Sequence, residues 1–263
     1  MVNHSKYSVD YFIVSTLNMQ VKDSVYYDFE KSRQRIDDML DTSGEYEYAD
    51  EIPSRESMTY ENGYYVKCYA LFVDIRDSSK LPKNNRKPVL AKIYRSYISE
   101  LTAIMQSYDT CKEVNIVGDC VNGIFTCHSK DDVLDPFSAA YIINGIIQVL
   151  NKKLKAKGYN TIKIGIGIAK GEALMVQAGY KGSGLNDVIW MGNVVNYACH
   201  LCGSANKNGN SIINISEEVY DDLEGKIGYN SVPYQNMMQR PDGENYYTGN
   251  VIQRSIAEWL ENN

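Results

Sequence analysis

Between residues 65 and 171 the chain alternates strand-like and helix-like runs in an order that few sheets can accommodate. YVKCYALFVDI, at 65–75, is rich in aromatic and β-branched residues and ends in the polar turn RDSSKLPKNN, which reads as a strand feeding a loop. Pro88 then opens VLAKIYRSYISELTAIMQSY, whose apolar residues recur at helical spacing, and proline suits a first helical turn. VNIV and VNGIFTC follow, separated by Gly118 and Asp119; this is a hairpin with an acidic tip, although glycine more often stands second in such a turn. A second helix is expected over about 136–157, with Ile143, Ile146, Ile147 and Leu150 on one face. TIKIGIGIAKG closes the series as a strand whose glycines mark a close approach by another segment. The order β-α-β-β-α-β is the split-βαβ, ferredoxin-like arrangement of the α+β class, an antiparallel sheet carrying its helices on one face and leaving the other free.

Outside this core, residues 1–62 read as an N-terminal appendage containing a charged amphipathic stretch over 22–40 and the acidic GEYEYADE, expected as a linker or loop; residues 63–263 form the main domain. After the core come strand-like VIWMG, a helix over about 193–201, strand SIINI, a short helix at 216–223 and a last strand pair ending near NYYTGNV. The formal charge of −6 and a pI near 5.2 argue against a broad nucleic-acid-binding face. No apolar run approaches the roughly 18–20 residues of a membrane span, and the N-terminus lacks an export signal's pattern, so a soluble, cytoplasmic protein is expected, with no direct membrane or nucleic-acid partner. Six cysteines, four of them inside strand or helix runs, read as reduced core thiols. Cys199, His200 and Cys202 invite a zinc reading, but a single CxxC without a second ligand pair is weak, and both cysteines fit a buried helix face.

Asp74 and Asp119 carry the chemistry. Each stands where a strand gives way to a turn, and in the derived topology the third strand lies beside the first, so the two carboxylates converge at one end of the sheet. Convergent carboxylates suit magnesium or manganese, which leave coordination positions for phosphate oxygens. The alternative for either aspartate alone is a turn cap. The segment after Asp74 favours the metal, because the N–H groups and hydroxyls around Ser78 and Ser79 can bind phosphates.

FVDIRDSS at 72–79, VNIVGDCVNGIF at 114–125 and GNVVNYACHL at 192–201 together resemble the three signature segments of class III nucleotidyl cyclases, over roughly residues 65–250. Within that family the chain most resembles the bacterial pyrimidine cyclases of the Pycsar antiphage systems, which make cyclic UMP or cyclic CMP. The resemblance implies two divalent ions, Mn2+ or Mg2+, held by Asp74, Asp119 and the Ile75 carbonyl. It further implies that Asn196 orients the ribose, and that the residue four positions later, normally arginine, steadies the α-phosphate. Here that residue is His200, which shares a helix face with Asn196 but lacks the arginine fork. Arg240, in QRPDGENYYTGNV, takes the place of the family's terminal-phosphate contact. The positions by which purine cyclases read the base hold Asn115 and Ile189, neither the Lys/Asp pair for adenine nor the Glu/Cys-type pair for guanine. The Asn115 amide can pair with uracil or cytosine, and Tyr65, Tyr69 or Trp190 can fill the remaining volume.

The resemblance also implies a head-to-tail homodimer with composite sites, UTP or CTP as substrate, and a separate effector protein that responds to the cyclic product. Two other readings stand beside the pyrimidine cyclase: an adenylyl cyclase with an atypical base pocket, and a nucleotide-binding cyclase fold without turnover.

Overall fold

The computed structural model describes residues 27–180 and 185–263; the first 26 residues of the expected appendage lie outside them. Two compact units are present, divided at residue 43. In the first, helix α1 (Phe29–Asp41) starts at Asp28, whose side chain accepts from the Lys31 N–H, as an N-cap should.

The second unit, 44–263, is built on β1 (Glu45–Ala49), β2 (Asn62–Ile75), β3 (Cys111–Val117), β4 (Cys120–Thr126), β5 (Ile164–Tyr180), β6 (Leu185–Met191), β7 (Ile213–Ser216) and β8 (Tyr246–Gly249). Its helices are the short α2 (Leu81–Asn84), then α3 (Lys87–Gln106), α4 (Leu134–Ala156), α5 (Asn193–Ser204), α6 (Glu217–Asp222) and α7 (Arg254–Asn262). The sheet runs β3-β4-β2-β5-β7-β8, with β1 beside β2 and β6 beside β5. The core order β2, α3, β3, β4, α4, β5 is the expected one, and the third core strand, β4, does pair antiparallel with the first, β2.

Alternation along β2 divides the interior into two layers. Tyr69, Leu71, Val73 and Ile75 face Ile93, Tyr97 and Leu101 of α3 and Phe137, Ala140 and Ile143 of α4. Cys68, Ala70 and Phe72 face the other way, toward Val194, Ala198, Leu201 and Cys202 of α5. The two core helices share a face, as expected, but the face expected to be free carries α5. The glycines of β5 make that possible: a Cβ at Gly165 would stand 2.7 Å from the Cys202 carbonyl, and one at Gly167 would run into the Ala198 carbonyl.

Two other expectations change. GEYEYADE is not a linker, because its Glu-Tyr alternation forms β1, parallel to β2, with Tyr46 covering Gly63 and Tyr48 stacked on Tyr65. The last strand pair is one strand, β8, on β7, plus an isolated bridge from Gln239 to Thr248. Lys130–Ala156 is long and apolar enough to cross a membrane, but half of its most apolar 18-residue window is buried, as in the core helix of a globular domain.

Because α5 touches β5 at backbone range, Gly167→Ala should cost more than ordinary overpacking, about 3 kcal/mol or more. For a domain of this size that is a fall of roughly 6–12 °C in melting temperature, measurable by circular dichroism. An unchanged melting temperature would show that α5 has room to lift.

Candidate active site

Asp74 is the penultimate residue of β2, and alternation puts it on the α5 face with Ala70 and Phe72. Asp119 sits in the two-residue turn between β3 and β4, after Gly118, whose φ of +65° is the left-handed conformation glycine adopts without strain. Pairing of β4 with β2 carries this turn to the end of β2, and the two carboxyls come within hydrogen-bonding range. Asp119 Oδ2 is buried and has no hydrogen-bond partner.

Burial, and then the charge of Asp119, hold the Asp74 carboxyl above the usual carboxylate range, although Arg76 and Lys207 pull in the opposite sense. A folded state that binds this proton more tightly than the unfolded chain loses stability as pH rises from the ordinary carboxylate pKa through the raised one. A cation held by this pair would need both carboxylates charged, so its binding would weaken as pH falls through the same interval. Two facing carboxylates, one with an orphaned oxygen, fit a hard divalent cation. No group of three or more metal-ligating side chains occurs among the described residues, so the remaining coordination positions would fall to backbone, water or phosphate.

Sequence reading missed Arg76. This buried guanidinium donates to Asp74 Oδ2 at 2.7 Å and to the carbonyls of Cys202 and Gly203 at 3.0 and 2.9 Å. It thereby satisfies the end of α5 and joins it to the carboxylate pair. The signal was present, because Arg76 follows the alternation of β2 onto the α5 face. An arginine inside RDSSK nevertheless reads as a turn residue.

The other candidates fall into three groups. Near the carboxylates, Asp77 turns left-handed (φ 56°) and a short 3-10 turn, Ser78–Lys80, follows; Ile75 is buried in register with Ile164. Asn196 and His200 lie on the exposed side of α5, opposite Val194, Ala198 and Leu201, and no hydrogen bond joins them to Asp74 or Asp119. Arg240 is held elsewhere, donating to the Glu244 carbonyl at 2.9 Å and pairing with Glu217 at 3.2 Å over the Tyr247 ring.

Asn115 is partly exposed on β3, and it is in register with Asn122, itself opposite Phe72, so it too belongs to the α5 face. Ile189, on β6, is exposed. Tyr65 is not brought to the carboxylates: it stands nine residues before Asp74, roughly 30 Å along the strand, on the opposite face. Tyr69 is fully buried with its hydroxyl on Asp222, which leaves no ring face for a base. Cys199 is exposed while Cys202 is buried, so they do not share the buried helix face once expected.

The chain has known relatives. The adenylate and guanylate cyclase catalytic domain family matches residues 61–249. A uridylate cyclase of Gulbenkiania mobilis is 40% identical over 251 residues, covering 90% of this chain and 97% of the relative. A uridylate cyclase of Treponema porcinum is 35% identical, covering 89% and 81%. Among solved structures, a class III adenylyl cyclase-like ATP-binding protein from Pseudomonas aeruginosa superposes with a TM-score of 0.65 at 19% identity, over 87% of this chain and 48% of that one. An adenylyl cyclase from the same species gives 0.59 at 22%, over 73% and 97%. The extent of the family match and the identity to full-length relatives place this chain in the class III nucleotidyl cyclases, enzymes that close a nucleotide on itself with loss of pyrophosphate.

Proposed function

We propose that the chain is a divalent-metal-dependent pyrimidine nucleotide cyclase, converting UTP, or CTP, to the 3′,5′-cyclic monophosphate and pyrophosphate. The observation that carries this reading is the facing pair Asp74 and Asp119, with an orphaned oxygen on Asp119. The base positions Asn115 and Ile189, which lack the purine-reading side chains, narrow the substrate, as do the relatives named uridylate cyclase.

Asp74, Asp119 and the Ile75 carbonyl would hold two ions, Mg2+ or Mn2+. When bound, such ions neutralise triphosphate charge and lower the pKa of the ribose 3′-hydroxyl that attacks the α-phosphate. The turn carrying Ser78 and Ser79 lies at the end of the same strand, where hydroxyls and N–H groups can receive phosphate oxygens. Asn115 offers both a donor and an acceptor to a uracil or cytosine edge, while Ile189 packs against the ring. Asn196 orients the ribose, and His200 donates a hydrogen bond to the α-phosphate. Arg240 reaches the terminal phosphates by leaving Glu217, an exposed pair worth about 0–1 kcal/mol.

Asn196 and His200 face away from their own sheet, which supports a head-to-tail homodimer in which each chain lends them to the other's carboxylate pair. Residues 63–263 would form the catalytic domain and 1–62 the appendage. The cyclic product would act in the bacterial cytoplasm as an antiphage signal read by a separate effector protein. His200 in place of arginine favours one second reading, a nucleotide-binding module without turnover.

Four measurements test this. Incubated with Mn2+ and equimolar ATP, GTP, CTP and UTP, the protein should release one cyclic pyrimidine nucleotide, identified by mass; cyclic AMP would overturn the base reading, and binding without product would favour the module. Mn2+ at a hundred times its Kd should stabilise the metal-free protein by about 2.7 kcal/mol, roughly 5–10 °C in melting temperature. Asp119→Asn should abolish that rise and the activity while melting no lower than metal-free wild type, because it removes one of two repelling charges. A persisting Mn2+ shift in that variant would sink the ligand assignment. His200→Arg should preserve or raise kcat, and a loss beyond about tenfold would assign the imidazole a role that charge alone cannot fill.

A further inference from the structure

Arg55 belongs to a short 3-10 turn, Arg55–Ser57, between β1 and β2, in the stretch that reads as appendage. Its guanidinium nevertheless reaches two strands of the main sheet. Nε lies 3.1 Å from both carboxylate oxygens of Glu113, on β3, and Nη2 donates to Glu113 Oε1 as well. Nη1 donates to Asp187 Oδ1, on β6, at 2.6 Å, and the same oxygen accepts from the Val188 N–H.

These strands are not neighbours. Along the sheet β4, β2 and β5 separate β3 from β6, so the β5–β6 ribbon must fold back to bring Asp187 to the guanidinium that holds Glu113. Arg55 is the tie at that closure. The Glu113 side chain is only 7% exposed, while that of Asp187 is 64% exposed. The first arm is therefore a shielded, forked charge pair and the second a solvated one.

Residues two apart on a strand share a face. Asn115 follows Glu113 by two residues on β3, and Ile189 follows Asp187 by two on β6. The groups that Arg55 clamps thus stand one step from each of the two residues assigned to the base. We propose that Arg55 is a positioning residue for substrate selection, fixing the distance between the Asn115 and Ile189 walls at a width suited to a pyrimidine ring. This rests on the base positions of the proposed function. Arg55 itself touches the walls' neighbours and not the nucleotide.

The test must separate spacing from folding, because removing the charge altogether strands a buried carboxylate. Arg55→Lys keeps a cation for Glu113, but a single ammonium does not reproduce the fork that grips both carboxylates. Asp187→Asn weakens only the exposed arm. Both variants should melt within a few degrees of wild type. At saturating substrate their kcat should stay within about twofold, while KM for the preferred nucleotide rises about five- to tenfold and selectivity between UTP and ATP narrows in proportion. The double variant should be no worse than Arg55→Lys alone, because both remove one tie.

Unchanged KM and selectivity in both variants would overturn the proposal. So would a fall in kcat at constant KM, the mark of general disruption. Wild-type preference, measured alongside, tests the substrate reading separately; the ratio of variant to wild type tests Arg55 whichever base is preferred. Calorimetric affinities for UTP and ATP in the presence of Mn2+ define that ratio even for a chain that binds without turning over.

Discussion

Helix α5 lies on the sheet at backbone contact, and the position of the site follows from that contact. Gly165 and Gly167 on β5 leave no side chain between strand and helix, and Val194 packs over Gly171 in the same way. At the far end of α5, Arg76 fills the gap left where helical carbonyls run out of partners, donating to Cys202 and Gly203. The same guanidinium holds Asp74. A helix lifted by one side chain's thickness would lose the close packing and also move the arginine that orients a carboxylate.

The carboxylate pair stores the opposite kind of energy. Two aspartates facing each other in a partly buried setting are unfavourable in isolation: burial first, and then the charge of Asp119, push the Asp74 pKa up. Arg76 offsets part of this repulsion without filling the site, because it engages Asp74 from the α5 side and leaves Asp119 Oδ2 unpartnered. A purely structural arrangement would pair both oxygens or replace one aspartate. In the proposed function a divalent cation would complete this arrangement.

Much of this was legible in the sequence, and what escaped has identifiable physical causes. The core order could be read because each element carries its own period: β2 and α3 need no tertiary information to be recognised. The convergence of Asp74 and Asp119 followed from topology alone, since split-βαβ connectivity sets the third strand beside the first. The glycines of β5 announced a close approach, although they did not name α5 as the approaching segment. β1 was lost because Glu-Tyr-Glu-Tyr has strand alternation with an acidic composition that reads as linker, and its pairing with β2 is long-range. Arg76 escaped because an arginine inside RDSSK reads as a turn residue, and Arg55 because an arginine's partners are set by where its flexible side chain ends, up to 132 residues away along the chain for Asp187. Tyr65 shows the reverse error, for an aromatic close in sequence to the chemistry lies on the wrong face once alternation is counted from Asp74.

Two arginines thus do for the tertiary structure what hydrogen-bonded ladders do for the strands. Arg76 joins the carboxylate end of β2 to the C-terminus of α5, and α5 exposes Asn196 and His200 on its outer side. In the proposed dimer those residues serve the other chain's carboxylates, so a shift of Asp74 in one site would be transmitted through one rigid helix to the groups that line the second. Arg55 joins strands that the sheet itself keeps apart. The carboxylate geometry and the base-pocket width would then be set by separate ties, one buried at a helix end and one half exposed at a strand crossing. On that proposal, changes at the second tie would retune which base is accepted while leaving the carboxylate pair untouched.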